Sequence, residues 1–210
     1  MGSFFCGTET SRFINFRKVN YAPSDNCSDF TRDNTAPQGL SLVVLFTEIG
    51  PSSNCTIAVG IQFITYKQGD YLMYTGGPSI RVRCQPGAMD SVSMQFVGYN
   101  PSICPSQTTS LNPGASVTVG NYNSTINYAD SLFCRWRIIA ANTSDNCNFT
   151  FVNTGVQSLP AGDYVTVADR LTQKGILNPL TGVHTIQSND LSIDFMSNND
   201  MTANNGVRFI

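Results

Sequence analysis

The stretch from Asn127 to Ile138, NYADSLFCRWRI, decides the fold prediction. It places Cys134 six residues after Tyr128, and Trp136 two residues after that cysteine. Because residues two apart in a β-strand point to the same face, Cys134, Trp136 and Ile138 form one apolar row. A half-cystine beside a large apolar ring is typical of the inner face of a β-sandwich. The stretch therefore predicts a fold, but it names neither a ligand nor a reaction.

The rest of the chain carries the same β signal. Short runs of alternating apolar and polar residues recur, and no stretch sustains apolar residues at helical spacing. The clearest runs are SVSMQFVGY at 91–99, ASVTVG at 115–120, DYVTVAD at 163–169 and DLSIDF at 190–195. The fold class is therefore predicted to be all-β. A chain of 210 residues is long enough for one large domain or for two of about 100 residues each.

The two halves of the chain repeat several short motifs in the same order. SLVVLF at 41–46 matches SLFCRW at 131–136, SSNC at 52–55 matches SDNC at 144–147, GDY at 69–71 matches GDY at 162–164, and SMQF at 93–96 matches SIDF at 192–195. Asp70 and Asp163, within the two copies of GDY, lie 93 residues apart. So long an offset indicates a duplicated domain, since solenoid repeats run about 20–50 residues. We therefore expect two tandem antiparallel β-sandwich domains, residues 1–99 and 100–210, joined within the Pro- and Ser-rich passage 99–116. Residues 1–40 are predicted to be an irregular N-terminal arm.

The chain is unusually poor in charge. Charged residues make up 12% of the sequence, against about 25% in an average soluble domain. With a net charge of −2 and no basic patch, nucleic acid is not expected as a partner. Such a surface favours association with other proteins or with copies of the chain, although an ordinary neutral, glycosylated surface fits equally well.

The chain has seven cysteines and one histidine, His184. No two cysteines form a CxxC pair, so the sequence offers no zinc constellation and disulfides are the better interpretation. Disulfides imply an oxidising, extracellular compartment. Cys6 and Cys27 are near enough in sequence to close a local loop, and the odd count leaves one thiol either free or bonded to another chain.

Sequence signals for secretion and modification are few. Five N-glycosylation sequons begin at Asn26, Asn54, Asn123, Asn142 and Asn148, close to the roughly four expected by chance from this composition, so glycosylation is permitted without being required. No segment reaches the ~18 apolar residues of a membrane span. The N-terminus MGSFFCGTETS lacks the basic start and apolar core of a signal peptide. A secreted chain would therefore be a mature form or a fragment.

Residues 104–210 resemble the CUB domain, an extracellular jelly-roll-like β-sandwich. The family pattern opens with a cysteine, continues through Tyr-x5-Cys-x-Trp-x-Ile and an Asp-Tyr-hydrophobic strand, and closes with Phe-x-Ser and a Gly-hydrophobic ending. The matching residues are Cys104, Tyr128, Cys134, Trp136 and Ile138, then Asp163, Tyr164 and Val165, and finally Phe195, Ser197 and Gly206–Phe209. The resemblance implies a Cys104–Cys134 disulfide. Residues 1–99 resemble the family only through their likeness to the second half.

The chain departs from the family at its second disulfide. Ala161 stands where a cysteine is expected, and no cysteine follows Cys147. The expected half-cystines are therefore Cys6, Cys27, Cys55, Cys84, Cys104 and Cys134, and Cys147 is left without an obvious partner.

Many CUB domains hold calcium with a Glu and two Asp residues. Asp163 is present, but Asn198 replaces the later Asp and no Glu occurs between Cys134 and Asp163, so Asp163 and Asn198 are only weak calcium candidates.

Enzymatic chemistry is not expected. A Ser-His-Asp or Cys-His arrangement would have to use His184, which lies in the predicted loop TGVHTIQ, where a solvated side chain is the usual role. Glu9 and Glu48 are the only glutamates, which disfavours acid catalysis by a pair of carboxyl groups. No cofactor is predicted.

We therefore predict a non-enzymatic extracellular protein that mediates recognition, adhesion or assembly. The alternative is a structural subunit of an extracellular fibre, coat or matrix, which self-associates through its sandwich surfaces and its N-terminal arm. A third hypothesis is a secreted glycan-binding defence protein, with tyrosines such as Tyr71, Tyr74, Tyr99, Tyr122 or Tyr128 stacking on sugars. An intracellular jelly-roll protein with reduced cysteines is the remaining alternative.

Overall fold

The computed structural model describes residues 6–12, 16–142, 147–198 and 205–210. These residues form one 3₁₀ turn, Pro23–Asp25, and eighteen strands. The strands are β1 Thr8–Arg12, β2 Phe16–Tyr21, β3 Phe30–Thr35, β4 Ser41–Ile49, β5 Asn54–Val59, β6 Gln62–Tyr66, β7 Tyr74–Gly76, β8 Ser79–Gln85, β9 Val92–Tyr99, β10 Gln107–Leu111, β11 Val119–Gly120, β12 Phe133–Ala140, β13 Cys147–Val152, β14 Tyr164–Asp169, β15 Gly175–Leu177, β16 Val183–Ser188, β17 Asp190–Met196 and β18 Arg208–Phe209. The all-β prediction is confirmed. Among these residues no helix has the length and hydropathy to cross a membrane.

The first half of the chain is a pair of packed antiparallel sheets. One has the order β1-β2-β9-β4-β7 and the other β3-β8-β5-β6. Strand β4 shows how they pack, because Leu42, Val44 and Phe46 are buried against residues of the other sheet such as Ile57 and Val82. The alternation of side chains along each strand thus places one apolar face of each sheet in a shared core.

The second half has the same layered construction. Its larger sheet has the order β10-β12-β17-β14-β15, with β10 parallel to β12 and the other pairs antiparallel. Two two-stranded sheets, β13-β16 and β11-β18, cover it and are linked by a bridge between Asn153 and Phe209. Cys134, Trp136 and Ile138 all lie in the core between these layers, as the opening stretch predicts.

A third apolar cluster lies between the two halves. It contains Val43, Leu45 and Val97 from the first half and Phe133 and Met196 from the second. These residues alternate along their strands with the residues that face the sandwich cores, so both faces of β4, β9 and β17 are buried. This explains why β4 is an unbroken apolar run in the sequence and not an alternating one.

The strand order of the two halves is similar, but the matching strands differ from those predicted. Strand β17 pairs with β12 and β14, and β9 pairs with β2 and β4. SMQF in β9 and SIDF in β17 therefore match, as expected. Matching SLVVLF to SLFCRW is wrong, because β4 takes the place of β14 and the counterpart of β12 is β2. The first half also inserts the β5–β6 hairpin between β4 and β7, where the second half has only a turn.

The prediction of an irregular arm over residues 1–40 is wrong for the part of it that the structure describes. Strands β1, β2 and β3 lie there and pair within the first half. Phe16, Val19 and Phe30 are buried, and their spacing along two short strands was obscured by the polar residues between them.

Among the described residues, no sheet contains strands from both sides of residue 100, and the β contact across that point is a single isolated bridge. The division into two domains at that point stays a prediction.

Candidate functional site at the junction of the two halves

Three disulfides join the six cysteines expected to be half-cystines. They are Cys6–Cys27, Cys55–Cys84 and Cys104–Cys134. The last is the bond that the CUB resemblance implies, and it ties the loop before β10 to the central part of the second sandwich. Cys147 is half-buried at the start of β13 and belongs to none of these three bonds.

The two weak calcium candidates lie side by side and are engaged in hydrogen bonds within the chain. The backbone N–H of Asn198 donates to Asp163 Oδ1 at 2.8 Å, and the Tyr128 hydroxyl donates to Asp163 Oδ2. The Asn198 amide nitrogen donates to the carbonyl of Ala161 at 2.8 Å. Asp163 is thus a buried hydrogen-bond acceptor that ties the segment before β12 to the start of β14. Calcium binding here stays a weak prediction.

The remaining predicted residues lie apart from one another. Asn26, Asn123, Asn142 and Asn148 are exposed and Asn54 is half-buried, so their positions permit glycosylation at most sequons without testing it. The expectation that His184 lies in a loop is wrong, because it belongs to β16. Its ring stacks on Phe151 with centroids 5.6 Å apart.

The junction between the halves is built around a buried ion pair. Arg135 Nε and Nη2 donate to the two carboxylate oxygens of Asp194 at 2.7 and 2.6 Å, and Nη2 also donates to the Met73 carbonyl at 2.5 Å. Burial by itself lowers the pKa of Arg135, but the pairing with Asp194 outweighs it, so the guanidinium has a raised pKa and stays charged. Arg135 thereby links the second half to the backbone of the first.

Two tyrosines of the first half surround this ion pair. Burial raises the pKa values of both Tyr66 and Tyr99, and Arg135 opposes the shift in each case while Asp194 adds to it. The Tyr99 ring packs on Phe133 with centroids 5.0 Å apart. Phe133 also lies against the ion pair, because the guanidinium carbon of Arg135 is 5.2 Å from the centre of its ring.

Backbone contacts also cross the junction. Asp70 and Lys174 form an antiparallel bridge, and the N–H of Tyr71 donates to the carbonyl of Gln173 at 3.0 Å. Lys174 Nζ lies 2.6 Å from Asp70 Oδ1. The Gln95 amide nitrogen also donates across the junction, to the Gly162 carbonyl at 2.6 Å. These contacts favour one fixed arrangement of the halves.

A groove of about 360 Å³ opens where the halves meet. Ligand sites occur preferentially at such boundaries. Its walls combine aromatic, cationic and amide side chains with apolar ones. The lining residues are Ile64, Tyr66, Leu72, Met73, Tyr74 and Thr75 from the first half and Arg135, Arg170 and Gln173 from the second.

The β5–β6 hairpin carries the most exposed apolar side chains near this groove. Ile61 is 96% exposed and Phe63 71% exposed. Gly60, with φ of 59°, allows the two-residue turn that presents Ile61. Strand β6 is the last strand of its sheet, and no charged residue occurs from Ile61 through Tyr66.

Comparisons with known proteins assign no family. No protein-family model and no curated protein matches the chain. Among solved structures, the CUB1-EGF-CUB2 region of human MASP-1/3 is 11% identical with a TM-score of 0.35, and 96% of each chain is covered. The corresponding region of rat MASP-1 is 12% identical with a TM-score of 0.34, covering 96% of this chain and 95% of that one. A cupin barrel protein from Leptotrichia buccalis has a TM-score of 0.32 at 11% identity, covering 96% and 85%. All three similarities, to the two CUB-containing regions and to the cupin protein, are too weak to assign the chain to one β-protein family.

Sequence reasoning did not find the junction. Arg135 and Asp194 lie on neighbouring strands at alternate positions to the core residues, where a solvent-facing side chain is the usual expectation. One signal was available, because β4 is apolar on both faces, with Val43 and Leu45 alternating with the core residues. That pattern indicates burial on both sides without saying what covers the second face.

Proposed function

We propose that this chain is a non-enzymatic extracellular protein that recognises other proteins through the β5–β6 hairpin. The exposure of Ile61 and Phe63 carries the proposal, because adjacent large apolar side chains on a surface mark protein contacts. The Cys55–Cys84 disulfide lies between β5 and β8 and holds the base of the hairpin. A rigid base lowers the entropy lost when the tip binds.

Three disulfides in a chain of this size support the extracellular location. Such bonds persist in oxidising compartments and are rare in reducing ones. The CUB resemblance of residues 104–210 points to the same location and to recognition of proteins. The hairpin has no counterpart in the second half. We therefore assign to the hairpin a binding function that belongs to the first half alone.

A second candidate, a self-associating structural subunit, is favoured by the edge of β6. An edge strand without charged residues or proline can pair with the same strand of another copy. The N-terminal arm is less suited to strand exchange, since its described strands are already paired within their own chain.

The test compares Phe63→Ser with Met89→Ser, a matched control because Met89 is also exposed, at 85%, but lies outside the hairpin. Both variants and the wild type are screened against an array of secreted and ectodomain proteins, and their native masses are measured by light scattering. Partners lost only with Phe63→Ser support recognition through the hairpin. High-mass species that disappear only with Phe63→Ser support self-assembly. Equal behaviour of the two variants in both measurements contradicts a role for the hairpin.

A further inference from the structure

The groove between the halves contains one cation without a carboxylate of its own. Arg135 is paired with Asp194, and Arg137 Nε and Nη2 hold both carboxylate oxygens of Asp190 at 2.7 Å. Arg170 Nε lies 3.5 Å from Asp190 Oδ2, an oxygen that Arg137 already holds. Three guanidinium groups thus share two carboxylates. Burial lowers the pKa of Arg170, and the charge of Arg135 lowers it further.

The other nearby carboxylates are committed elsewhere. Asp70 has its own cation in Lys174, with 2.6 Å between Oδ1 and Nζ. Asp169, although next to Arg170 in sequence, accepts hydrogen bonds from Ser188 and Thr172 at 2.5 and 2.7 Å. The local excess of positive charge at Arg170 therefore faces the groove, whose wall it forms.

Two further groups in the groove suit the non-ionic part of a ligand. The side-chain oxygen of Gln173 is buried and accepts no hydrogen bond from any residue that the structure describes. A hydroxyl donor from a ligand would satisfy it. The half-buried ring of Tyr74 lines the opposite wall, which comes from the first half, and offers a flat apolar surface.

We propose that this groove binds an acidic sugar, with Arg170 pairing with its carboxylate, Gln173 accepting a hydroxyl hydrogen and Tyr74 packing on the ring. A guanidinium matches a carboxylate with two parallel hydrogen bonds. A hexuronate or a sialic acid combines the carboxylate, the hydroxyl donors and the ring face. The groove volume of about 360 Å³ lies within the range of about 300–1,000 Å³ typical of small-ligand sites.

The test measures binding of glucuronate and N-acetylneuraminate to the full chain by NMR titration, with glucose and acetate as controls. Comparing glucuronate with N-acetylneuraminate shows whether the groove prefers a hexuronate or a sialic acid. Glucose keeps a ring and hydroxyls without the charge, and acetate keeps the charge without the ring. We expect at least one acidic sugar to bind more tightly than both controls, and Arg170→Gln to weaken it by about tenfold or more.

Arg81→Gln is the matched control, since Arg81 is an exposed arginine of β8 that pairs with Asp33 and does not line the groove. It should leave the affinity unchanged, and so should Phe63→Ser, which separates this site from the hairpin. Should Arg170→Gln lower the melting temperature markedly, Tyr74→Leu tests the same groove from the other half. The proposal is overturned if the acidic sugars bind no more tightly than glucose and acetate, or if Arg170→Gln and Arg81→Gln have equal effects.

Discussion

Arg135 and Asp194 form the most enclosed ion pair among the described residues, with 14% and 1% of their side chains exposed. The carboxylate also accepts a hydrogen bond from Ser192 at 2.7 Å. Burying two charges costs free energy that their attraction only balances when further hydrogen bonds are present. Removing one partner should consequently destabilise the protein more than replacing both charged residues together with apolar ones.

Asp194→Asn is predicted to destabilise the protein by about 3–5 kcal/mol, because it leaves the Arg135 guanidinium buried without a counter-charge. Urea denaturation at neutral pH measures the change. The control is Asp33→Asn, which removes a pair whose side chains are 65% and 59% exposed and should cost much less, because solvent screens exposed charges. Equal effects of the two substitutions would show that burial does not govern these pairs.

The environment of Asp169 should make the free energy of unfolding depend on pH. Burial alone raises its pKa, but hydrogen bonds from Ser188, Thr172 and Leu171 outweigh this and lower the pKa below its ordinary value. The stability it contributes is therefore complete above the unfolded pKa of about 3.9 and is lost as the pH falls through the lower folded value. Asp169→Asn should cost about 1–3 kcal/mol at pH 7 and less at pH 3, which lies below the unfolded pKa, where the contribution of the carboxylate has begun to be lost. Urea denaturation at both values checks this, and an equal cost at the two would refute it.

The β5–β6 hairpin is the element that most distinguishes the two halves. Cys55 faces the first core from β5 and is bonded to Cys84 directly opposite it on β8. Among its described residues, the second half has no strand in the place of β5; its β13–β16 pair, which corresponds to β3–β8, contains no disulfide, and Cys147 pairs there in register with Ser188. The first half thus carries a covalent link at the place where its extra hairpin joins the sheet.

Replacing Cys55 and Cys84 together with alanine is predicted to destabilise the protein by about 3.6 kcal/mol. This is the chain-entropy value for the 29-residue separation of the two cysteines. The midpoint of guanidinium denaturation under non-reducing conditions measures it. Cys147→Ser is the control and should cost less than about 1 kcal/mol, since this cysteine is in none of the three disulfides among the described residues. A larger effect at Cys147 would indicate that it makes an essential contact.

The whole molecule consists of two layered halves joined by a third apolar cluster. Val43, Leu45 and Val97 would be exposed on one side of the first half if the second were absent. Gln95, fully buried, and the backbone bridge between Asp70 and Lys174 add polar contacts to this interface. The halves are therefore expected to stabilise each other.

Scanning calorimetry is predicted to give one cooperative transition whose calorimetric and van't Hoff enthalpies agree. Asp194→Asn should lower that single melting temperature by roughly 6–20 °C, following the scaling for a chain of this size. Two separate transitions, with only one shifted by the substitution, would mean that the halves unfold independently.

Local sequence determined those features of this protein that depend on strand periodicity. The two-residue spacing of Cys134, Trp136 and Ile138 places all three on one face whatever lies opposite, and SMQF and SIDF repeat because each lines a core in the same way. Tertiary structure alone decided the rest. Whether β2 or β4 corresponds to β12, and whether the alternate residue Arg135 meets water or Asp194, depends on hydrogen bonds and packing between residues far apart in the chain. Such contacts leave no periodic trace in the sequence, so the junction and its groove emerge only when the two halves meet.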